Sequence, residues 1–152
     1  MLLALRPLLL SDSAITGPII ADSASGVSGA GRGPSLTSHF VEVADNYASN
    51  KMGRARRHLP KMEQAIGWWL EAAPALISSP HLLPGRRGIL ATLYVTLGHD
   101  VDEAELRARY AAAYDDEPFV DVLPAGSLAS LAHVTHPNRC AIALTPVGRT
   151  LI

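Results

Sequence analysis

The stretch PIIADSASGVSGAGRG, residues 18–33, joins a short apolar run to a segment with four glycines and three serines. Residues 18–24 are typical of a buried strand, so the glycine-rich segment begins where that strand ends. Such bare backbone serves either as a flexible connector or as a loop that approaches a ligand closely. The glycine spacing matches neither the G-x-G-x-x-G dinucleotide fingerprint nor a P-loop, so spacing alone leaves both interpretations open.

Apolar spacing predicts the elements on either side of this strand. Helices are predicted at 2–10, at 60–73 and at about 102–114. The first of these is expected to be interrupted near Pro7, and Asp100–Glu103 is expected to cap the last. Further strands are predicted at 75–83, 87–97, 118–123, 138–145 and 147–152. Strands outnumber helices, which predicts an α+β fold with a mixed sheet and helices packed on one face.

Composition restricts the class of protein. At 152 residues, 48% hydrophobic and 18% charged, the chain is expected to form one globular domain, 1–152. A formal net charge of −1 and a basic run at 51–57 without interleaved aromatics argue against a nucleic-acid partner. The single cysteine excludes an internal disulfide and fits a cytoplasmic chain. MLLALRPLLL, residues 1–10, is too short to cross a membrane, and a signal peptide is the alternative interpretation.

Several segments, in the same order along the chain, resemble N-acetyl-γ-glutamyl-phosphate reductases, which belong to the aspartate-semialdehyde-dehydrogenase-like superfamily. They are DSASGVSGAGR (22–32), SLTSHFVEV (35–43), HLP with EQ (58–60 and 63–64), HLLP with RGILAT (81–84 and 87–92) and NRCAI (138–142). The resemblance covers essentially the whole chain, and its most specific part is SGVSGAGR. It implies the substrate-binding and dimerisation domain of such an enzyme. That domain has a largely antiparallel sheet, like the C-terminal domain of glyceraldehyde-3-phosphate dehydrogenases.

The resemblance also implies a reaction. These enzymes use NADPH to reduce N-acetyl-γ-glutamyl phosphate to N-acetylglutamate semialdehyde in arginine biosynthesis, with release of phosphate. A cysteine thiolate attacks the acyl carbon, and the catalytic histidine, here His58, handles the cysteine proton and then protonates the aldehyde oxygen. A helix-capping or surface histidine is the alternative for His58.

The resemblance further implies two sets of binding residues. Substrate-binding residues would be Ser25, Gly26, Ser28, Gly29, Arg32 and Arg87, and cofactor-binding residues Gly29, Ala30 and Asn138. Chemistry supports the first set, because an acyl phosphate is an anion that backbone N–H groups and arginine forks bind well. Solvated surface arginines are the alternative for both arginines. No metal is expected, because His133 and His136 lack a third ligand nearby.

The chain departs from the family pattern in several ways. The family's nucleophilic cysteine would precede Met1, and Cys140 matches a buried, inert cysteine. No dinucleotide fingerprint occurs in these residues, so we expect a chain truncated at both ends, without the nucleotide-binding domain that the resemblance implies. Asn50, Arg56 and Lys61 stand where the family usually has tyrosine, histidine and glutamate. We therefore expect part of a homo-oligomeric cytoplasmic reductase that is inactive alone. The alternative is a stand-alone, non-catalytic binding or interaction module.

Overall fold

A computed structural model describes residues 1–11, 15–33, 35–55 and 58–152. In that part of the chain the helices are α1 (Leu2–Leu9), α2 (Phe40–Val43), α3 (Leu59–Gly67) and α4 (Glu103–Tyr114). The strands are β1 (Ile19–Ser25), β2 (Ala48–Ser49), β3 (Leu76–Leu82), β4 (Ile89–Thr96), β5 (Val120–Val122), β6 (Cys140–Ile142), β7 (Pro146–Val147) and β8 (Thr150–Leu151). None of these helices is long and apolar enough to span a bilayer.

The strands form one large sheet and one small one. The large sheet has six strands in the order β2-β3-β1-β4-β8-β7, and β5 pairs with β6 in the small one. Within the large sheet only β1 and β3 run parallel, and the other four pairings are antiparallel. The predicted α+β fold with a mixed, largely antiparallel sheet is therefore confirmed.

Alternate side chains of strand β1 point to the two opposite faces of the large sheet. Ile19 and Ala21 are fully buried, whereas Ile20 between them is 39% exposed, as expected when alternate side chains point to opposite faces. Helices α1, α3 and α4 contribute to the same core, which confirms the prediction that helices pack on one face. The opposite face, called the open face below, carries Ile20, Asp22, Ala24, Ile77, Ser79, His81, Leu90, Thr92 and Tyr94.

Helix α1 corrects the prediction of an interruption near Pro7. It continues through the proline to Leu9. A proline inside a helix leaves the carbonyl four residues earlier without its helical donor. The hydroxyl of Tyr114 on α4 donates to that carbonyl, on Leu3, so the missing bond is replaced from outside the helix.

Other element boundaries also differ from those that the sequence predicts. Strands β5 and β6 are shorter than the predicted strands 118–123 and 138–145, and α2 and β2 lie in a stretch where no element was predicted. Helix α3 ends at Gly67 instead of residue 73, since glycine has a poor helix propensity and Trp68 N–H closes the last turn on Gln64 and Ala65. The predicted strand 147–152 is a hairpin, β7 and β8, whose turn contains Gly148 at φ +56°. The predicted cap of α4 is present, at Asp102, whose carboxylate accepts from the N–H groups of two residues in the first turn.

Candidate functional site

The glycine-rich segment packs directly on the loop between β3 and β4. The N–H of Gly26 donates to Gly88 O at 2.9 Å, that of Val27 to Gly85 O at 2.9 Å, and that of Ser28 to Arg86 O at 3.0 Å. A methyl group on Gly26 would lie 2.7 Å from the backbone nitrogen of Arg87. The segment is therefore a packed loop rather than a flexible connector.

This packing reduces the number of backbone N–H groups that the loop could donate to an anion. The N–H groups of Gly26, Val27 and Ser28 are engaged within the chain, so they are not the free phosphate donors that the sequence suggested. The glycine at 26 is needed because two backbones meet there, since its φ of −64° is one that any residue adopts. The loop acts instead by fixing the backbone that carries Arg87.

The other predicted residues of this segment lie beside the junction. Ser25 Oγ donates to Gly26 O at 3.2 Å, and a methyl on Gly29 would come within 2.8 Å of the same Oγ. Residues 27–30 form a 3-10 turn in which Ser28, Gly29 and Ala30 are exposed. Arg32 follows them and is also exposed, with no ion-pair partner among the described residues. The structure thus brings Ser25, Gly26 and Gly29 together and leaves Arg32 at the surface.

A cavity of about 820 Å³ opens along β4 and is lined by residues from both faces of that strand. Both Arg87 and Asn138, predicted from distant parts of the sequence, line it. Its apolar wall comes from α1 and β4, including Leu5, Leu8 and Leu93. The volume suits a small metabolite, and a few polar groups in a mostly apolar cavity are typical of a ligand site.

Sequence reasoning missed several polar residues of this cavity. Ser130, His136 and Thr145 line it from the loops around β6. No local motif marks them, because they share the cavity with Arg87 only through the folding of distant segments. His136 was considered only as a metal ligand, and no group of three potential metal ligands occurs among the residues that the structure describes.

His58 lies at the N-terminal end of α3 and is exposed, while Leu59 after it is buried. Its imidazole makes no capping hydrogen bond to the helix, which does not support the capping interpretation. It is not among the described residues that line the cavity, so the structure does not join it to Arg87 there. A bidentate ion pair, Arg54 to Glu63 at 3.1 and 3.2 Å, holds the preceding turn against α3.

The positions that depart from the family pattern are at the surface where they are described. Asn50 is exposed, and its N–H extends the pairing of β2 with β3 by donating to Pro80 O at 2.8 Å. Lys61 is exposed on the first turn of α3. Arg56 lies outside the described residues. Cys140 is half-buried in β6 against the hydrophobic core, with a free thiol.

A second polar cluster lies on the open face, away from the cavity. Nδ1 of His81 is 3.0 Å from Oδ1 of Asp22, and the ring of Tyr47 stacks on the imidazole with centroids 5.1 Å apart. Nδ1 of His81 has no well-aligned hydrogen bond among the described residues, so the contact with Asp22 is an ion-pair contact when the ring is protonated.

Comparison with known proteins identifies the class. Residues 1–151 match the model of the semialdehyde dehydrogenase, dimerisation domain, and the chain belongs to this family. N-acetyl-gamma-glutamyl-phosphate reductases of Pelotomaculum thermopropionicum and Geobacter metallireducens are 46% and 43% identical to it over 149 residues, 98% of the chain and 43% of each relative. The predicted family is therefore confirmed. The chain spans less than half the length of these curated relatives.

Solved structures agree on the fold. A probable aspartate-semialdehyde dehydrogenase from Pseudomonas aeruginosa superposes with a TM-score of 0.69 and 12% identity, over 97% of this chain and 52% of that one. Aspartate semialdehyde dehydrogenase II from Vibrio cholerae gives 0.69 and 13%, over 99% and 52%. At these identities the likeness shows the fold alone.

Proposed function

We propose that this chain is the substrate-binding and dimerisation part of a cytoplasmic, NADP-dependent N-acetyl-γ-glutamyl-phosphate reductase. The whole enzyme would reduce the acyl phosphate to N-acetylglutamate semialdehyde in arginine biosynthesis and release phosphate. The names of the relatives support the reaction class, and the cavity beside Arg87 supports a small anionic substrate.

The observation that carries the proposal is the position of Arg87. The backbone of Arg87 packs against Gly26, and Arg87 lines the cavity. Its guanidinium has no ion-pair partner among the described residues. A guanidinium without a carboxylate partner is available to bind phosphate or carboxylate oxygens with two parallel hydrogen bonds. Asn138, in the same cavity, adds an amide that hydrogen-bonds neutral groups.

The nicotinamide cofactor would contact this part of the enzyme only at its edge. Asn138 lines the cavity, and the exposed turn with Gly29 and Ala30 offers a surface that a flat ring can approach. The large sheet is mostly antiparallel, with one parallel pair, β1 and β3, so its described strands do not form the doubly wound parallel sheet typical of dinucleotide-binding domains. When bound, the cofactor supplies hydride. The residues named here would orient the acyl group toward it.

Proton transfer is assigned to His58 under the same proposal. Its exposed imidazole has no hydrogen bond or ion pair among the described residues, so both ring nitrogens are available. The single cysteine of the chain, Cys140, is half-buried in β6 and lines the cavity with Arg87, but the resemblance assigns the nucleophile to a different cysteine. We therefore expect the 152 residues by themselves to be inactive.

Reconstitution tests the reaction. The chain is combined with a complementary nucleotide-binding domain that carries the nucleophilic cysteine, taken from a relative, and NADP-dependent, phosphate-requiring oxidation of N-acetylglutamate semialdehyde is measured. We expect activity from the mixture and none from either part. A mixture that is inactive although the parts associate would contradict the proposed function.

Two neighbouring arginines provide a matched comparison in that assay. Arg87→Ala should raise the KM for phosphate by roughly 10- to 100-fold, the loss of a charge-assisted hydrogen bond of about 1.5–3 kcal/mol. Arg86→Ala removes a neighbouring exposed side chain that is not among the described residues lining the cavity, and should leave KM unchanged. Equal effects of the two substitutions would contradict the role of Arg87.

We also propose that the chain forms a homodimer through the open face. Ile77 is 50% exposed there and Tyr94 is 38% exposed, and an exposed apolar sheet face is typical of an association surface. The dimerisation-domain family supports it. Ile77→Asp should shift the sedimentation coefficient to that of a monomer, whereas Leu36→Asp, at an exposed position outside the sheet, should not.

A further inference from the structure

The cluster of Asp22, His81 and Tyr47 occupies the open face near the end of β1 and β3. Asp22 and His81 lie on neighbouring parallel strands. Asp22 pairs with Ser79, two residues before His81, so the side chains of Asp22 and His81 point to the same face. The imidazole is held on one side by the carboxylate and on another by the stacked phenol ring. It therefore has little freedom to leave the face.

Few other charges surround this histidine. The residues of β4 that share the face beyond β1 are Leu90, Thr92 and Tyr94, and Ser49 of β2 pairs with His81 on the other side. Tyr47 is the second titratable group in contact with the imidazole. The described ion-pair contact of the imidazole is with Asp22, and Arg54, on the turn 53–55 that also packs against β3, is paired with Glu63 instead. The charge of the cluster is thus −1 with a neutral imidazole and zero with a protonated one.

We propose that self-association through the open face takes up protons at His81, so that the dimer tightens as the pH falls through the neutral range. The proposal rests on the homodimer proposed above. Pairing two copies would remove water from the cluster of each, and a buried carboxylate without a cationic partner is costly. Protonation of His81 supplies that partner, so the dimer binds protons more tightly than the monomer.

Proton linkage sets the sign of this pH dependence and limits its size. An isologous dimer contains the cluster twice, so up to two protons are taken up for each dimer formed. Histidine is the side chain whose charge changes most readily in the neutral range, so the change is sought between pH 8 and pH 6. The association constant should rise about tenfold or more over that interval, because each protomer binds its proton more tightly in the dimer than in the monomer.

Sedimentation equilibrium of the full chain at pH 8, 7 and 6, at constant ionic strength, tests the proposal. His81→Gln should abolish the pH dependence of the association constant. Asp22→Asn should reverse it, because protonation of His81 would then place an unpaired cation in the interface. His99→Gln, which changes an exposed histidine in the loop after β4, should behave like the unsubstituted chain.

The outcomes separate this proposal from the dimer itself. A dimer whose association constant does not change with pH, or changes equally in the His81→Gln chain, would overturn the proton linkage and leave the dimer intact. A chain that stays monomeric at every pH and concentration would overturn the dimer. Thermal unfolding of each variant at pH 8 checks that it is folded, and Asp22→Asn supplies a second reading if His81→Gln is unstable.

Discussion

The hydroxyl of Tyr114 donates a hydrogen bond to the carbonyl oxygen of Leu3, joining α4 to α1. In an uninterrupted helix that carbonyl would accept from the N–H of residue 7, but Pro7 has none. Tyr110, one turn earlier on α4, donates to the carbonyl of Ala4. The aromatic residues of one helix thus satisfy the backbone of another, and α1 keeps its place along the wall of the cavity.

Replacing Tyr114 with phenylalanine should lower the free energy of unfolding by about 1–2 kcal/mol, since the Leu3 carbonyl is then left without a partner. Pro7→Ala restores an N–H at residue 7 that bonds the same carbonyl. In the Pro7→Ala background, Tyr114→Phe should therefore cost less than it does in the original chain. Urea denaturation of the four chains gives the coupling energy as a double-mutant cycle.

Tyr110→Phe is the control for that cycle. The Ala4 carbonyl has the N–H of Leu8 as its helical donor, whatever residue stands at position 7. The cost of Tyr110→Phe should be the same in both backgrounds. A Tyr114→Phe cost that is also unaffected by Pro7→Ala would show that the hydroxyl does not compensate for the proline.

The two tyrosines also predict an alkaline limit to stability. Burial, and next the neighbouring phenol, raises the pKa of Tyr110, and burial raises that of Tyr114. The folded chain then holds these protons when the unfolded chain has released them, so the free energy of unfolding falls as the pH rises above about 10. Tyr110→Phe should reduce the slope between pH 10 and 12, as measured by urea denaturation at each pH.

How far the fold follows from sequence depends on whether the determining contacts are local. The strand β1 and the cap of α4 at Asp102 were predicted because alternation and capping are readable within a few residues. The continuity of α1 through Pro7 was not, since the compensating hydroxyl comes from Tyr114, more than a hundred residues away. The end of α3 at Gly67 was not predicted either, because the apolar spacing continues past this glycine to residue 73.

Ser78→Ala should stabilise the fold. Ser78 is 3% exposed on the core face of β3, and its hydroxyl has no hydrogen-bond partner among the described residues. Removing a buried hydroxyl without a partner should raise the free energy of unfolding by about 0.5–1 kcal/mol. Ser79→Ala, on the open face of the same strand, should change it little. A loss of stability at residue 78 would indicate that its hydroxyl is bonded.

The candidate site, like the fold, was predictable only in part from the sequence. Gly26 and Arg87 belong to two segments recognised by their residues, and the structure adds the reason for the glycine, a backbone contact between them. The cavity itself was not predictable, because its walls come from α1 and from loops around β6 that meet only after folding. His58 remains a prediction from resemblance, exposed at the start of α3.

Gly26→Ala tests the contact on which the position of Arg87 depends. The added methyl would lie 2.7 Å from Arg87 N and 2.9 Å from Gly85 O, both backbone atoms that move only if a loop moves. We expect the free energy of unfolding to fall by about 2 kcal/mol or more, as for other overpacked buried positions. Gly67→Ala, where nothing lies within 4 Å, should instead be neutral or stabilising by up to about 1 kcal/mol, because alanine is the better helix former. Equal denaturation midpoints for Gly26→Ala and the original chain would mean that the two loops do not pack as described, and Arg87 would lose its support.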